Sequence, residues 1–376
     1  MTLDLGNIQF YWRMITDNEK EKVDIPAFLP FEFKFNNKLQ LIQQNISVDI
    51  WNKLEQVYQY DYNVGYLQDG HDLAEGYATD FLNFFVRSTQ NKAISTIFEI
   101  GCGGGYLLKR IKEIGNFKVT CLDPSPVAAR NRDCFEVIST FYPSKEYTNK
   151  VDLIIHYDVL EHIEDPVQFL NAHKTNLNNQ GFILFAVPDC TNYIKIGDVS
   201  MVLHEHINYF DQESLYLTVL NAGFQNIIIE NSNHGGVLYC FAQYNDEIIK
   251  EAGIKENSNK FLNFKNKYTE IQQSISGLVD SAKRGNKSIG FYVPLRALPY
   301  ISEHNDFHFR FFDDDSGIHG KFFDGFTTPI ENFNDLKKSP VDILIIMSDS
   351  FGQRIKEKIL KEKIAVNIIL IGELSE

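Results

Sequence analysis

The chain has 376 residues, 44% of them apolar, with 30 Phe and 18 Tyr, which suits more than one buried core and argues against a disordered protein. Lys plus Arg number 36 against 50 Asp plus Glu, a formal charge of −14, which disfavours extended binding to nucleic acid or to an anionic membrane. No apolar run approaches the roughly 20 residues of a membrane helix, the first residues lack the basic-then-apolar pattern of a leader, and the five cysteines, odd in number and without a C-x-x-C pair, indicate neither a disulfide framework nor a zinc knuckle. A soluble, cytoplasmic protein is expected.

Residues 1–75 are mixed and rich in aromatic runs such as FLPFEFKF and VYQYDYNVGYL, and form a first unit. Between 76 and 245 short apolar runs (STIFEIG, KVTCLD, VDLIIHYD, GFILFAV, QNIIIE) alternate with helical patterns (YLLKRIKEIG, PVAARNRD, PVQFLNAHKTNL, ESLYLTVLNAGF). Such alternation predicts βαβ units on a parallel sheet, with GGVLYCFAQY as an antiparallel strand at its edge. Residues 246–285 have a helical period that stops at Arg284-Gly285-Asn286 and read as a connecting helix. From 286 to 376 the runs SIGFYV, FHFRFFDD, VDILIIMSD and AVNIILIG predict a second, smaller unit. The expected fold class is α/β: a Rossmann-like domain between a small N-terminal domain and a second Rossmann-like C-terminal domain.

The sharpest local signal is Ile97-Phe98-Glu99-Ile100-Gly101-Cys102-Gly103-Gly104-Gly105, an apolar strand entering a glycine turn before a helix. Glycines there let the backbone approach a ligand closely and take positive φ. The spacing is neither the G-x-G-x-x-G of dinucleotide folds nor the G-x-x-x-x-G-K-[ST] of nucleotide triphosphatases. Glu99, two positions before Gly101, would repel a pyrophosphate and suit a cationic amine. The next strand ends at Asp123, 22 residues after Gly101, the interval that sets an acid on ribose hydroxyls.

His204-Glu205-His206, followed by Tyr209-Phe210, falls on a loop after the GFILFAV strand, with an N-cap region at Asp211 to Ser214 behind it. Three readings stay open on the residues themselves. The pair could bind a metal, although the H-E-x-x-H spacing is missing and no metal is expected; it could be a solvated helix entry; or one histidine could act as a general base, being able to take a proton near neutrality.

The set F-E-I-G-C-G-G-G, L-D-P-S and D-x-L-E-H-I-x-D-P (Asp158 to Pro166) resembles the class I S-adenosylmethionine-dependent methyltransferases over residues 76–245. The resemblance implies that Gly101, Gly103 and Gly105 line S-adenosylmethionine, that Asp123 holds its ribose, that Glu99 lies near its methionine end and that Tyr157 and Asp158 flank it. Glu161 and His162 are read as structural. The His-Glu-His motif with its aromatic pair, together with the second α/β unit, is similar to the C-methyltransferases of nucleotide-linked keto-deoxysugars. That likeness implies His206 as the base that makes an enolate, with Glu205 and His204 in support, and a small-molecule acceptor rather than a polymer. The tyrosine that commonly precedes the motif is Leu203 here.

Both ends of the chain depart from that family. Its C-terminal glycine turn reads Gly290-Phe291-Tyr292-Val293-Pro294-Leu295-Arg296, and in its second segment His319 stands for a lysine and Asp324 for a proline. Arg296, His319 and Lys321 remain as cations for a diphosphate. Its N-terminal zinc site is excluded, since no cysteine precedes Cys102; residues 1–75 are expected to act as a lid, with Tyr60 and Tyr62 touching substrate. Methyl transfer to oxygen or nitrogen of a sugar or other small molecule, and a binding protein without turnover, are the rival readings.

Overall fold

A computed structural model describes residues 1–10, 14–15, 26–59, 72–244, 257–348 and 351–375. In the N-terminal part, strand β1 (Thr2–Gln9) alternates buried and exposed positions. After the two-residue β2 (Met14–Ile15) come β3 (Phe28–Asn36) and β4 (Leu41–Gln44), then helices α1 (Val48–Gln59) and α2 (Asp72–Thr89). β1, β3 and β4 form an antiparallel meander, and β4 pairs with a two-residue strand, Asn208–Tyr209, that follows the His-Glu-His loop. This pairing anchors the first unit directly to the candidate catalytic segment.

The middle of the chain runs β5 (Thr96–Ile100), α3 (Tyr106–Ile114), β6 (Lys118–Leu122), β7 (Glu136–Ile138), β8 (Val151–Tyr157), α4 (Pro166–Ala172), β9 (Leu177–Pro188), α5 (Thr191–Ile196), β10 (Asn208–Tyr209), α6 (Gln212–Asn221), β11 (Phe224–Asn231) and β12 (Val237–Tyr244). Seven of these strands make one sheet in the order β11-β12-β9-β8-β5-β6-β7, parallel except where β12 runs against both of its neighbours. The order reverses between β5 and β8, so a crevice opens at their carboxyl ends, where open α/β sheets take ligands. Asp165 and Asp211 cap α4 and α6, the latter through a capping box with Ser214, as the sequence predicts for Asp211.

Three sequence expectations change here. GGVLYCFAQY is antiparallel but not at the edge: β12 lies between β9 and β11. Its centre, Leu238 to Ala242, is buried on both faces, whereas β11 alternates and tolerates solvent. PVAARNRD makes only a short 3-10 turn, Ala128–Asn131, too brief a stretch to carry an α-helix. Cys102 and Cys121, expected unpaired, form a disulfide with a Cα–Cα distance of 6.1 Å. Parity and local spacing say nothing about this pair, because it arises from register. Glu99 of β5 lies opposite Cys121 of β6, and Cys102 sits just past the end of β5. The bridge closes a separation of 19 residues between the glycine turn and β6; loop-closure arguments put such a bridge at about 3 kcal/mol.

The connecting helix α7 (Asn259–Gly285) ends with Asn286 in the left-handed conformation. It buries Phe261, Phe264, Tyr268, Ile271, Ile275, Val279 and Ala282, steps of three and four that make one apolar stripe. The second unit follows as β13 (Ile289–Tyr292), α8 (Leu298–Ile301), β14 (Arg310–Phe312), β15 (Phe322–Phe323), β16 (Ile330–Glu331), α9 (Phe333–Lys338), β17 (Ile343–Ile346), α10 (Gly352–Lys361) and β18 (Asn367–Leu370). Five strands are parallel in the order β16-β14-β13-β17-β18, and β15 pairs with β2. The stripe of α7 packs at once on Phe31 and Phe33 of the first sheet and on Phe291 and Ile345 of the last, so the two ends of the chain share one core. Among the described residues no helix is long and apolar enough to cross a membrane.

Candidate active site at the carboxyl ends of the central strands

The glycine turn between β5 and α3 needs its glycines for two separate reasons. Gly101, Gly103 and Gly105 have φ of +75°, +48° and +74°, a region that side chains avoid. A Cβ on Gly101 would meet Cγ2 of Val159 at 2.9 Å, and one on Gly105 would meet Cζ of Phe135 at 2.7 Å. The amide of Gly103 donates to Oδ2 of Asp123 at 2.8 Å, while Oδ1 accepts from the amide of Ser125 at 2.7 Å. Asp123 therefore shapes the turn, and each oxygen keeps a further lone pair for a hydroxyl.

Glu99 is 2% exposed, and its Oε2 has no hydrogen-bond partner. Burial, and then the charge of Asp123, push its carboxyl up to about 8. An unsatisfied buried carboxyl beside a turn of this kind fits the amine of S-adenosylmethionine, and Asp123 fits its ribose; the residues present suit that cofactor. Ionising Glu99 costs stability. Its contribution is complete below its ordinary value of 4.5 and is lost as pH rises toward 8. Glu99→Gln is thus expected to raise Tm little at pH 5 and strongly at pH 8, by up to about 4 kcal/mol of stability, while weakening cofactor binding. Equal melting of both proteins at pH 8 would sink the assignment.

β8 ends at Tyr157, whose ring meets Phe81 edge-on at 5.1 Å. Asp158 follows with φ of +53° and donates its amide to the carbonyl of Ala186 at 3.3 Å. A left-handed aspartate at a strand end is a strained position of the kind found at ligand sites. Through Val159, this turn forms the wall that forbids a side chain at Gly101.

The loop after β9 is zipped to the turn after β8. Nδ2 of Asn208 donates to the carbonyls of Leu160 and Ile163, at 3.0 and 2.6 Å, and takes its orientation from Gln43 of β4, whose Nε2 donates to its Oδ1 at 2.7 Å. The amide of Ile207 donates to the carbonyl of Glu161 at 2.7 Å. Nδ1 of His162 lies 2.9 Å from the carbonyl of Glu205. These bonds set His206 edge-on to His162, ring centroids 4.9 Å apart. Desolvation, and then His162, hold His206 well below the usual imidazole value, which keeps the ring neutral. Glu161, 1% exposed, stands beside the pair with neither carboxylate oxygen hydrogen-bonded, its carboxyl raised by burial and by Asp158.

The site thus contains two residues that sequence reading set aside as structural, Glu161 and His162. The available signal was position: an adjacent Glu-His after the fourth strand of a doubly wound sheet faces the same crevice as a loop after the fifth. His204, expected to support His206, goes elsewhere. It is 1% exposed, packs edge-on against Phe10 and Phe31, and places Nε2 3.3 Å from the carbonyl of Leu29. Residues i and i+2 share a face only in an extended segment, and here the turn that bonds the amide of His206 to the carbonyl of Leu203 separates them. Glu205 takes part through its carbonyl, which fixes His162, and its charge adds to that of Asp158 around Glu161.

Two of the three cations expected at a diphosphate make contacts within the chain. Arg296 hydrogen-bonds the hydroxyl of Tyr193 through Nη1 and lies over that ring, 5.4 Å from its centroid. It also offsets the burial that raises Tyr77, so it serves the methyltransferase-side wall. His319 places Nε2 2.9 Å from the carbonyl of Asp313. Val293 holds the left-handed position of the eroded glycine turn, φ +60°, where a β-branched residue is strained. Tyr60 and Tyr62 lie outside the described residues.

A curated relative, the tRNA U34 carboxymethyltransferase of Aliarcobacter butzleri (strain RM4018), is 26% identical over 163 residues, 38% of this chain and 51% of that protein, so the chain spans about half the relative's length. Among solved structures, PigF with SAH is similar at 15% identity, over 52% of this chain and 61% of that one, TM-score 0.40. The N-methyltransferase NodS from Bradyrhizobium japonicum WM9, in complex with S-adenosyl-L-homocysteine, is similar at 17% identity, over 53% of this chain and 99% of that one, TM-score 0.38. Residues 70–228 match the family described as Methyltransferase domain, a span that holds the glycine turn, the Tyr157-Asp158 turn and the zipped histidine loop. Over residues 70–228 the chain is therefore similar to a methyltransferase domain.

Proposed function

We infer that the whole protein methylates carbon in a nucleotide-linked keto-deoxysugar, with His206 as the base. The observation that carries this reading is the zipped pair of turns after β8 and β9, which holds the ring of His206 against His162 beyond the carboxyl end of the sheet. When bound, S-adenosylmethionine supplies an electrophilic methyl group. Glu99 and Asp123 orient it through its amine and ribose. His206 removes the proton from the carbon next to the acceptor's ketone, and the enolate so formed is the nucleophile; catalysis is otherwise positioning. His162, fixed by the carbonyl of Glu205, keeps the ring of His206 in place. Arg296 is the cation nearest in role to an anionic acceptor, since it faces Tyr193 and Tyr77 of the methyltransferase side.

The matched relative acts on tRNA by its name, but a charge of −14 works against an extended phosphate backbone here, and a small anionic acceptor needs only local cations. The deciding experiment is exchange in deuterium oxide, with candidate nucleotide-linked ketosugars and S-adenosylhomocysteine, which completes the site without donating a methyl. Washout of the α-proton is expected, and its loss in His206→Ala. Methyl transfer from S-adenosylmethionine without any washout would instead favour an oxygen or nitrogen acceptor.

A further inference from the structure

Glu161, His162 and His206 each offer one donor atom, and the three atoms lie within 4.8 Å of one another. Two come from the turn after β8 and one from the loop after β9, so the cluster exists only in the folded chain. The carboxylate of Glu161 is buried without a hydrogen bond to either oxygen, and its Oε1 stands 3.8 Å from Nε2 of His162. Nδ1 of His162 faces a carbonyl and must carry the ring's proton, which leaves the Nε2 lone pair on the side of Glu161. A backbone carbonyl that fixes the tautomer in this way is the usual outer partner of a metal-binding imidazole. The ring nitrogens of His206 make no hydrogen bond among the described residues.

Two imidazoles and one carboxylate are a recurrent three-ligand set for zinc, and imidazole favours zinc, cobalt or nickel over the oxygen-seeking magnesium and calcium. Tetrahedral ligands at about 2.1 Å from an ion sit about 3.4 Å apart, so the cluster needs only a modest closing of side chains. We propose that Glu161, His162 and His206 bind one divalent transition-metal ion of this class. The set differs from the His204–His206 pair that the sequence brings to mind, and it answers the unpartnered buried carboxylate that the methyl-transfer reading leaves unused. A ligated His206 has no lone pair for a proton, so the ion acts as an inhibitor of carbon methylation; this consequence rests on the reading of His206 as the base.

The test uses the full chain, stripped with a chelator and titrated with Co²⁺ or Zn²⁺ by calorimetry and visible absorption. One ion per chain is expected, with binding weakened by about tenfold or more in each of Glu161→Gln, His162→Gln and His206→Gln, thermal melts confirming that each variant is folded. Cys134→Ser, which removes the exposed free thiol, should leave binding unchanged. Absence of one-to-one binding, or binding that survives the three substitutions, overturns the site. Saturating Co²⁺ is also expected to stop deuterium washout. Washout that continues with the site filled overturns the base assignment and leaves the metal site standing, so the two readings fail separately.

Discussion

Replacing Gly103 by valine is expected to remove measurable S-adenosylmethionine binding while leaving a folded protein. The residue has φ of +48° and its amide donates to Asp123. A β-branched side chain in the left-handed region costs about 1–3 kcal/mol, and the turn will give way before the sheet does. Once it shifts, the amide no longer holds Asp123, and the acid loses the orientation that presents its oxygens to a ribose. The two losses act on one ligand, so affinity should fall by about 100-fold or more, near 2.7 kcal/mol or beyond. Calorimetric titration with S-adenosylmethionine reads the effect, and circular dichroism checks the fold. Gly103→Ala, with a smaller side chain in the same region, should sit between the two. Near-normal affinity in the valine variant would mean that the cofactor does not lie against this turn.

His206→Ala is expected to divide binding from turnover. Its ring is held by the zipped turns rather than by the glycine turn, so cofactor affinity should stay within about twofold, whereas loss of a positioned general base typically lowers rate by about 10²–10⁴. The assay runs in a chelator, so that no bound ion occupies the histidine. A second variant, Asn208→Ala, strikes the zipper instead of the base: it removes the two bonds to Leu160 and Ile163 and the one from Gln43. It should lower the rate through misplacement of His206 and lower Tm as well, a combination that His206→Ala should not show. A His206→Ala enzyme with near-normal rate would end its assignment as base.

The glycine turn and the strand before it were legible in the sequence because both are local. Gly101, Gly103 and Gly105 share positive φ within five residues, and Asp123 sits one βα step further on. The connecting helix was equally plain, its apolar stripe recurring at steps of three and four until Asn286 ends it. Alternating patterns likewise announced two α/β units.

What the sequence could not assign were the partners of side chains that meet across the fold. His204 and His206 are two residues apart, yet one packs between Phe10 and Phe31 and the other faces His162. Cys102 and Cys121 join because β5 and β6 are in register, not because of any spacing that a motif records. Glu161 and His162 looked like an ordinary turn until Asn208 and Ile207 tied the next loop against them. The sequence by itself determined where backbone conformation and apolar periodicity are dictated by neighbours along the chain. The tertiary structure decided which polar groups share a crevice, because that depends on strand order at the β5–β8 reversal and on hydrogen bonds between loops far apart in sequence.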